Sequence, residues 1–502
     1  MEARLGTAVP AAASTAASSA DLPAAGKRLG QWPTAWPVVP ARRWISLPPG
    51  WPMYALYLGF PLWWVLGVSE LAFIAVAVPM GIRLYKRRPL RLPRGFGLWL
   101  LFLLFLLVGV FVLQASAPGS IQTDGGFGRY LTFSYRVAVY LSATVVLLYV
   151  GNLSERELPT GRVIRLLGYM FVLVVIGGLV GTFLPRIEFT SGIEYLMPGG
   201  LRSNVFVQSL VHPRTSEIQA VLGYAEARPV APFAYANSWG ANFSLYLPFF
   251  LLSWLGRDAG WRRPAAPVVL IASAIPVVYS LNRGLWGAIG LGLVYVVFRL
   301  ATMGKVLAVY ALVAGIVLAG VLFVFSPLGT LVNERLDNPH SNDRRSQLSS
   351  LTLSSVVQGS PIIGFGTTRN VQGSFFSIAG GDTAQCPNCG VPPLGTQGVF
   401  FSVVFFQGLV GGALFLGFFA VRFARHWRER SRLSIAGCAI LLMCALEMFV
   451  YDFGSATFFT LMIAVALMWR AEQLRTADSP GTAVPVPTGT AVPAVRAGEA
   501  VS

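Results

Sequence analysis

Charged side chains are scarce in this chain. Only 12% of its 502 residues are Asp, Glu, Lys or Arg and 55% are hydrophobic, whereas soluble domains carry about 25% charged residues. A soluble core of this apolarity would aggregate, so the composition excludes a soluble globular protein and indicates a membrane protein with several spans. Acidic residues are the scarcer kind, 21 against 38 basic ones. The basic residues lie in short segments between apolar runs, which favours a membrane topology signal over nucleic-acid binding.

Cysteine is nearly absent, with four residues in the chain. Cys438 and Cys444 lie in an apolar run, where we expect small buried side chains. Cys386 and Cys389 form a Cys-Pro-Asn-Cys motif. A structural zinc site needs four ligands, so this pair alone is a weak metal signal. A local disulfide fits best if the segment faces an oxidising compartment; two free thiols or a metal site are the alternatives.

The first 30 residues contain no apolar run, which argues against a cleaved signal peptide. Residues 1–48 are rich in Ala, Ser, Pro and Thr, and residues 473–502 repeat phrases like Gly-Thr-Ala-Val-Pro. Such tracts cannot bury enough apolar surface to fold. We therefore expect two disordered cytoplasmic tails around a membrane domain over residues 49–472.

Apolar runs of the length of a bilayer span recur along that domain. A helix needs about 20 apolar residues to cross the hydrocarbon core, and the runs predict an all-α polytopic membrane protein with about twelve transmembrane helices. They lie near residues 52–68, 69–85, 96–114, 131–150, 163–184, 237–255, 266–281, 284–300, 306–325, 398–421, 433–450 and 454–470. Only a few residues separate the first pair and the seventh and eighth runs.

The positions of the basic residues predict the orientation of these spans in the membrane. With the N-terminus in the cytoplasm, every predicted inner segment carries Lys or Arg near a span end, as the positive-inside rule requires. These segments are residues 83–94, 155–165, 257–263, 299–305, 422–432 and 470 onward. The prediction is a cytoplasmic-membrane protein with both termini inside. Two long polar segments, 185–235 and 326–397, then lie outside, the second between the ninth and tenth spans.

The outer segments hold the candidate site residues. A loop of about 70 residues exceeds the usual connection and is typical of a functional segment. Arginine binds phosphate oxygens through two parallel hydrogen bonds and keeps its charge, so these residues predict a site for a phosphate-linked lipid. The residues are Arg228, Asn237, Arg283, Arg335, His340, Arg344 and Arg345. Snorkelling of Arg283 to the interface and a solvated charge run at Arg344 and Arg345 are the alternatives.

Three sequence phrases occur in register with this topology. They are Pro-Phe-Ala-Tyr-Ala-Asn-Ser-Trp at 232–239, Ser-Leu-Asn-Arg-Gly-Leu-Trp at 280–286, and Arg345 followed by Gly-Ser-Pro-Ile-Ile-Gly-Phe-Gly at 359–366 and Phe-Phe-Gln-Gly-Leu-Val-Gly at 405–411. Together they resemble the superfamily of bacterial O-antigen ligases and O-antigen or exopolysaccharide polymerases. The likeness covers residues 230–420 well and the twelve-span plan loosely.

This resemblance implies a metal-independent glycosyltransferase that needs no cofactor. An acceptor hydroxyl of a glycan or glycolipid would attack a polyisoprenyl-pyrophosphate glycan on the outer face of the membrane, and the lipid pyrophosphate would leave. By the same resemblance, Arg283 and Arg345 hold the pyrophosphate and offset its developing charge, while Arg228 and Asn237 line the cavity. Ligase and polymerase differ only in the acceptor, which the sequence does not identify.

The chain departs from the family pattern at one point. Gln397 stands where the family usually has a histidine that orients or deprotonates the acceptor. Glutamine can hydrogen-bond a sugar but cannot take up a proton at neutral pH. His340 or His212 could replace that histidine, or no strong base is needed.

Other readings of the sequence remain open. Glu447, in the eleventh span, is either a functional acid or the partner of an arginine such as Arg136. A twelve-span secondary transporter or flippase for a lipid-linked or anionic substrate is the main competing function. Against it, the candidate polar groups lie in outer segments and not at the bilayer midplane. A non-catalytic membrane scaffold is the third possibility.

Overall fold

A computed structural model shows a chain that is mostly α-helical. It describes residues 47–120, 126–219, 224–324, 327–337, 340–370 and 393–477. The described residues from Pro48 onward belong to one compact unit. Residues 1–46 and 478–502 of the predicted tails lie outside the described residues, as do Cys386 and Cys389.

Each predicted span coincides with helix. The helices, in chain order, are α1 (Trp51–Leu58), α2 (Phe60–Val65), α3 (Ser69–Lys86), α4 (Phe96–Val108), α5 (Gly126–Asn152), α6 (Thr160–Phe183), α7 (Gly192–Leu196), α8 (Gly199–Arg202), α9 (Val205–Val211), α10 (Ala236–Trp254), α11 (Arg262–Tyr279), α12 (Arg283–Thr302), α13 (Val306–Val324), α14 (Pro327–Asp337), α15 (His340–Gly359), α16 (Val399–His426), α17 (Arg432–Glu447) and α18 (Ser455–Ala477). The first predicted span is made of two short helices, α1 and α2. Strand is limited, in the described residues, to an antiparallel pair, β1 (Ser216–Gln219) and β2 (Glu226–Pro229).

Five of these helices are long and apolar enough to cross a membrane: α5, α6, α12, α16 and α18. The all-α class of the sequence prediction is therefore confirmed, together with helices suited to a bilayer. Many large apolar side chains point outward, Leu307 of α13 with 83% of its surface exposed. Outward-facing apolar residues are what a lipid-facing surface requires, because lipid tails are as apolar as leucine.

Helix α18 occupies the middle of the bundle. In the most apolar 18-residue stretch of this helix, 89% is buried. The helix packs against α3, α5, α10 and α17. Glu70, at the start of α3, accepts hydrogen bonds from the backbone N–H of Ser455 (2.9 Å) and from its hydroxyl. A carboxylate at this position caps the N-terminus of α18 and complements the positive end of its dipole.

Five of the six predicted cytoplasmic segments meet at one end of the bundle, called here the basic end. Arg87 pairs with Glu157 at 2.7 Å, and Arg470 pairs with Glu155 at 3.2 Å. Around Glu429, Arg475 binds its carboxylate at 2.5 Å and Arg299 donates to its carbonyl at 2.9 Å. These contacts join residues 83–94, 155–165, 299–305, 422–432 and 470 onward, which is the grouping that the positive-inside pattern predicts.

The two long polar segments are more structured than their sequences indicate. Residues 185–235 contain α7, α8, α9 and the β1–β2 pair, and residues 326–397 contain α14 and α15. Gly67, in the break between the first two spans, has a left-handed backbone (φ +75°), and a Cβ there would lie 2.1 Å from Ser191 Oγ. Only glycine lets this break approach the first outer segment so closely.

Candidate functional site

The break between α11 and α12 is the centre of the candidate site. Only residues 280–282 separate the two helices, and this stretch with the first turn of α12 is called here the 280–285 junction. Leu281 has φ +51°, the one non-glycine residue with a left-handed backbone in the described part of the chain. That conformation costs a non-glycine residue about 1–2 kcal/mol. Such strain persists where surrounding contacts fix the backbone, and it clusters at functional sites.

Arg228, on β2, makes several of the contacts that hold the backbone of the 280–285 junction. Its guanidinium is almost fully buried and donates from Nε to the Ser280 carbonyl at 2.7 Å. Nη2 donates to Asn282 Oδ1 and, at 3.3 Å, to Asn237 Oδ1. The carboxylate of Glu217, its partner in the strand pair, lies 3.5 Å from Nη1 and balances its charge. The structure thus brings Arg228 and Asn237 together at the junction.

Arg335 reaches the same place from α14. Its side chain is buried, and Nε donates to the carbonyl of Leu281 at 3.3 Å. Arg283 itself is half-buried as the first residue of α12. Four of the sequence candidates, Arg228, Asn237, Arg283 and Arg335, therefore lie in or against one short stretch of backbone. A helix N-terminus that carries basic side chains is a common setting for binding an anion.

Gln397 is tied into the protein by its amide. It accepts a hydrogen bond from Thr352 of α15 at 3.2 Å and donates to the Pro393 carbonyl at 3.2 Å. The side chain is buried. Its observed contacts hold α15 against the segment that enters α16, and its predicted contact with an acceptor sugar stays a prediction.

His340, Arg344 and Arg345 lie in the first turns of α15. Their side chains are outside the described part of the structure, so the meeting of Arg345 with Arg283 stays a prediction.

Tyr451 and Asn282 are two contributors that the sequence reasoning did not single out. The Tyr451 hydroxyl accepts from the Leu285 N–H at 2.9 Å, and the Tyr451 carbonyl accepts from the Val399 N–H at 2.9 Å. This links the junction to the start of α16, two residues after Gln397. The signal for Asn282 was its place before a helical arginine, since asparagine favours turns and helix starts. For Tyr451 the sequence offered no comparable signal.

The glycine phrases at 359–366 and 405–411 contact one another. The Phe365 N–H donates to the Phe405 carbonyl at 2.8 Å, and the Leu409 N–H donates to the Pro361 carbonyl at 2.8 Å. Gly408 is left-handed (φ +72°) and interrupts α16, and a Cβ there would lie 2.2 Å from the Ile362 carbonyl oxygen. The two phrases form a set of backbone hydrogen bonds, called here the glycine seam, that fixes the second half of the long segment on α16.

Arg369 is the structural arginine of that segment. Its guanidinium donates to six backbone carbonyls at 2.8–3.3 Å, namely those of Val112, Leu113, Ala115, Phe365, Thr367 and Thr368. Burial, reinforced by nearby Arg129, lowers the pKa of Arg369 to about 10, so it stays charged at neutral pH. With its donors used internally, Arg369 anchors the segment and is a poor candidate for binding substrate.

His212 has an ordered partner in the first outer segment. Its Nδ1 lies 2.9 Å from the carboxylate of Glu194, which is buried and also closes a capping box at the start of α7. The histidine lines a small cavity with Ser69, Glu70 and Ser209. A carboxylate on Nδ1 fixes the tautomer and leaves Nε2 as the free acceptor.

Glu447 does not pair with Arg136, contrary to the pairing considered from the sequence. Its fully buried carboxyl accepts from Ser244 at 2.9 Å. Arg136 instead lies over the Phe406 ring, 3.5 Å from its centroid, and donates to the Gly366 carbonyl at 3.3 Å. The glycine seam offers this arginine an aromatic face and a carbonyl, and the charge of Asp452 also acts on it.

No protein-family model matches this chain, and no curated protein matches it. Within the described residues, no group of three His, Cys, Asp or Glu side chains could hold a metal ion. Cys438 and Cys444 are buried free thiols, as the sequence indicated. The site is thus defined by its arginines and amides.

Proposed function

We propose that this protein is a membrane glycosyltransferase of the O-antigen ligase or polymerase type, with twelve spans and both termini in the cytoplasm. The observation that carries the proposal is the convergence of Arg228 and Arg335 on the backbone that leads into Arg283. This arrangement fixes the backbone from which Arg283 projects at the N-terminus of α12. A preorganised cation of that kind suits a site for a pyrophosphate.

In the proposed reaction, an acceptor hydroxyl attacks the anomeric carbon of a polyisoprenyl-pyrophosphate glycan. The new C–O bond forms as the bond to pyrophosphate breaks, and the lipid pyrophosphate carries away the electron pair. Arg283 and Arg345 offset the charge on the leaving group. Arg228, Asn237 and Arg335 are positioning residues, because their described contacts fix the junction.

The surface beside the junction suits a lipid-borne donor. Below Arg283, α12 exposes Val294 and Phe298, and the second half of the neighbouring α13, which leads to α14, exposes Leu318 and Val321. Val294 lies eleven residues along α12, about 16 Å from the junction at the rise of an α-helix. A polyisoprenyl chain could lie along this apolar surface with its pyrophosphate at Arg283.

His212 is the proton acceptor that best fits the described geometry. Glu194 holds its Nδ1, so its Nε2 is available to a hydroxyl group. A general base must lie within hydrogen-bond distance of the hydroxyl that attacks, so this role requires the acceptor hydroxyl and the anomeric carbon to meet beside His212 Nε2.

The decisive variant is Arg283→Ala. We expect purified protein to transfer a lipid-pyrophosphate glycan in the presence of EDTA, and R283A to lose at least about 100-fold in rate, as removal of one transition-state donor typically costs. The measurement is radiolabelled glycan transfer with purified lipid-linked donor. Arg430→Ala, an equal change of charge at the basic end, is the matched control. Full activity in R283A with an unchanged melting temperature would reject the assignment.

A twelve-span transporter or flippase remains the second candidate because two acids, Glu70 and Glu447, are buried between helices. Intramembrane acids commonly mark ion or proton pathways. Substrate flux into proteoliposomes without any glycan product would favour this function.

A further inference from the structure

At the basic end, Arg422 is a buried arginine whose guanidinium is not satisfied. It lies near the end of α16 with none of its surface exposed. Its three guanidinium nitrogens have no hydrogen-bond partner in the described structure. The nearest carboxylate is that of Glu472 on α18, 3.9 Å from Nη1, which is beyond hydrogen-bond distance.

Glu472 is already engaged by a second arginine. The exposed Arg425, three residues after Arg422, bonds directly to Glu472 Oε1. The other oxygen, Oε2, is 3.8 Å from His426 Nε2, and both atoms lack a hydrogen-bond partner in the described region. His426 Nδ1 lies 2.8 Å from the Arg422 carbonyl and must donate to it, so Nε2 carries no proton in the neutral ring.

Positive charge therefore exceeds negative charge in this cluster. Arg94 precedes Gly95, and a Cβ at Gly95 would lie 3.9 Å from Arg422 Nη2. Two guanidinium groups, those of Arg422 and Arg425, thus face the one carboxylate of Glu472, and the charge of Arg94 acts on Arg422 from the α4 side. Buried charges in proteins are paired and hydrogen-bonded because leaving water is costly. The positive charge that Glu472 does not balance calls for a bound anion. Gly95 has no side chain, which leaves the α4 side of Arg422 open to one.

The neighbouring surface indicates where that anion comes from. Helix α4 starts directly after Arg94 and Gly95 and packs along α16. Its residues Leu100, Leu104 and Leu107 are about half exposed and follow the i, i+4, i+7 spacing of one helix face. A molecule that joins a phosphate to hydrocarbon chains matches a cationic cluster above an apolar stripe.

We propose that Arg94, Arg422 and Arg425 form a binding site for the phosphate of an anionic phospholipid, with its acyl chains along the exposed face of α4. The bound phosphate accepts hydrogen bonds from Arg422 and supplies its missing counter-charge. The site lies at the basic end, away from the 280–285 junction, so it is independent of the glycan-transfer proposal. Its role is to hold the ends of α4, α16 and α18 together in an anionic membrane.

The test compares the full-length protein in nanodiscs of phosphatidylcholine alone and of phosphatidylcholine with phosphatidylglycerol. We expect phosphatidylglycerol to raise the melting temperature and native mass spectrometry to detect retained anionic lipid. Arg422→Gln should weaken phosphatidylglycerol binding about fivefold, the effect of one basic residue near an anionic surface. Arg430→Gln, an exposed neighbour on the same end, is the control and should behave as wild type.

Glu472→Gln separates the proposal from a simple ion pair. Removing the Glu472 carboxylate, which competes for the arginines, should strengthen phosphatidylglycerol binding if the arginines hold a phosphate. If Arg422 and Glu472 merely pair with each other, E472Q will lose stability equally in both lipids, and the proposal is wrong. This variant also keeps the test decisive if R422Q does not fold.

Two further results would overturn the proposal. Equal melting temperatures of the wild type in both lipids would show that phosphatidylglycerol does not bind at a stabilising site, and the proposal would be rejected. Stabilisation by millimolar inorganic phosphate in phosphatidylcholine, with no further gain from phosphatidylglycerol, would assign the cluster to a water-soluble phosphate and reject the lipid.

Discussion

Individual arginines in this protein do different work, and their contacts distinguish them. Arg369 donates hydrogen bonds to six backbone carbonyls, and Arg228 donates to a carbonyl and to amide oxygens at the junction. Arg422 has no hydrogen-bond partner for its guanidinium in the described structure. A guanidinium with all donors used internally stabilises the fold, whereas one left unsatisfied in the interior indicates a ligand.

Replacing Arg369 should therefore affect stability more than chemistry. Arg369→Ala leaves several buried carbonyls unpaired, and each such loss costs about 1–3 kcal/mol. We expect the free energy of unfolding to fall by at least about 3 kcal/mol, measured by chemical denaturation in detergent. Arg186→Ala, at an exposed arginine of the first outer segment, should change it by less than about 0.5 kcal/mol. Equal effects of the two variants would contradict this role.

Glu157 gives the basic end a dependence on pH. Burial raises the pKa of this carboxyl, but the hydrogen bonds from Arg87 and Ser154 outweigh it and bring the pKa to about 2, below its usual 4.5. The folded state then binds fewer protons than the unfolded state between these values, so stability rises with pH across that window. The contribution is complete above pH 4.5 and is lost as pH falls towards 2.

Glu157→Gln should flatten this part of the stability profile. Melting temperatures of wild type and E157Q should converge as the pH is lowered from about 5 to 2, since protonation of Glu157 weakens the same contact with Arg87. Parallel curves for the two proteins would show that another carboxylate is responsible.

At the level of elements, the sequence predicted the helices in the apolar runs and missed those in the two long polar segments. A bilayer demands long apolar runs with internally satisfied backbones, so composition alone locates such helices. Helices α14 and α15 have mixed composition, and the glycine seam depends on contacts between residues about 45 apart. Rarity of charge made the junction arginines candidates from the sequence, but it did not predict the contact of Asn282 with Arg228 or that of Tyr451 with Leu285.

The kink of α16 at Gly408 can be tested with two glycines of the same helix. Gly408→Ala places a Cβ 2.2 Å from the Ile362 carbonyl oxygen and costs about 1–2 kcal/mol for the left-handed backbone alone. At Gly417 a Cβ meets only Leu98 Cδ1 at 3.6 Å, so Gly417→Ala should be neutral or stabilise by up to about 1 kcal/mol. Thermal unfolding measures both, and a neutral G408A would show that the kink is not required.

On the scale of the whole molecule, the basic segments mark one end of the bundle. Three ion pairs and one hydrogen bond to a carbonyl join five of them. This grouping agrees with the positive-inside pattern of the sequence, while the twelve spans and the orientation in the membrane stay predictions.

The proposed orientation predicts which end is accessible from outside the cell. In a cysteine-free background, Arg186→Cys should react with a membrane-impermeant maleimide on intact cells, and Arg430→Cys should react only after the membrane is opened. The reverse pattern would invert the topology and place the 280–285 junction in the cytoplasm, which would exclude transfer on the outer face.

The central place of α18 has a consequence for biogenesis. The helices that α18 packs against are all made before it, so the surfaces that it covers on them have no protein partner while the ribosome is still translating α18. Lipid or insertion factors must cover those faces until α18 is inserted. We therefore expect the centre of this bundle to close only after α18 has been synthesised.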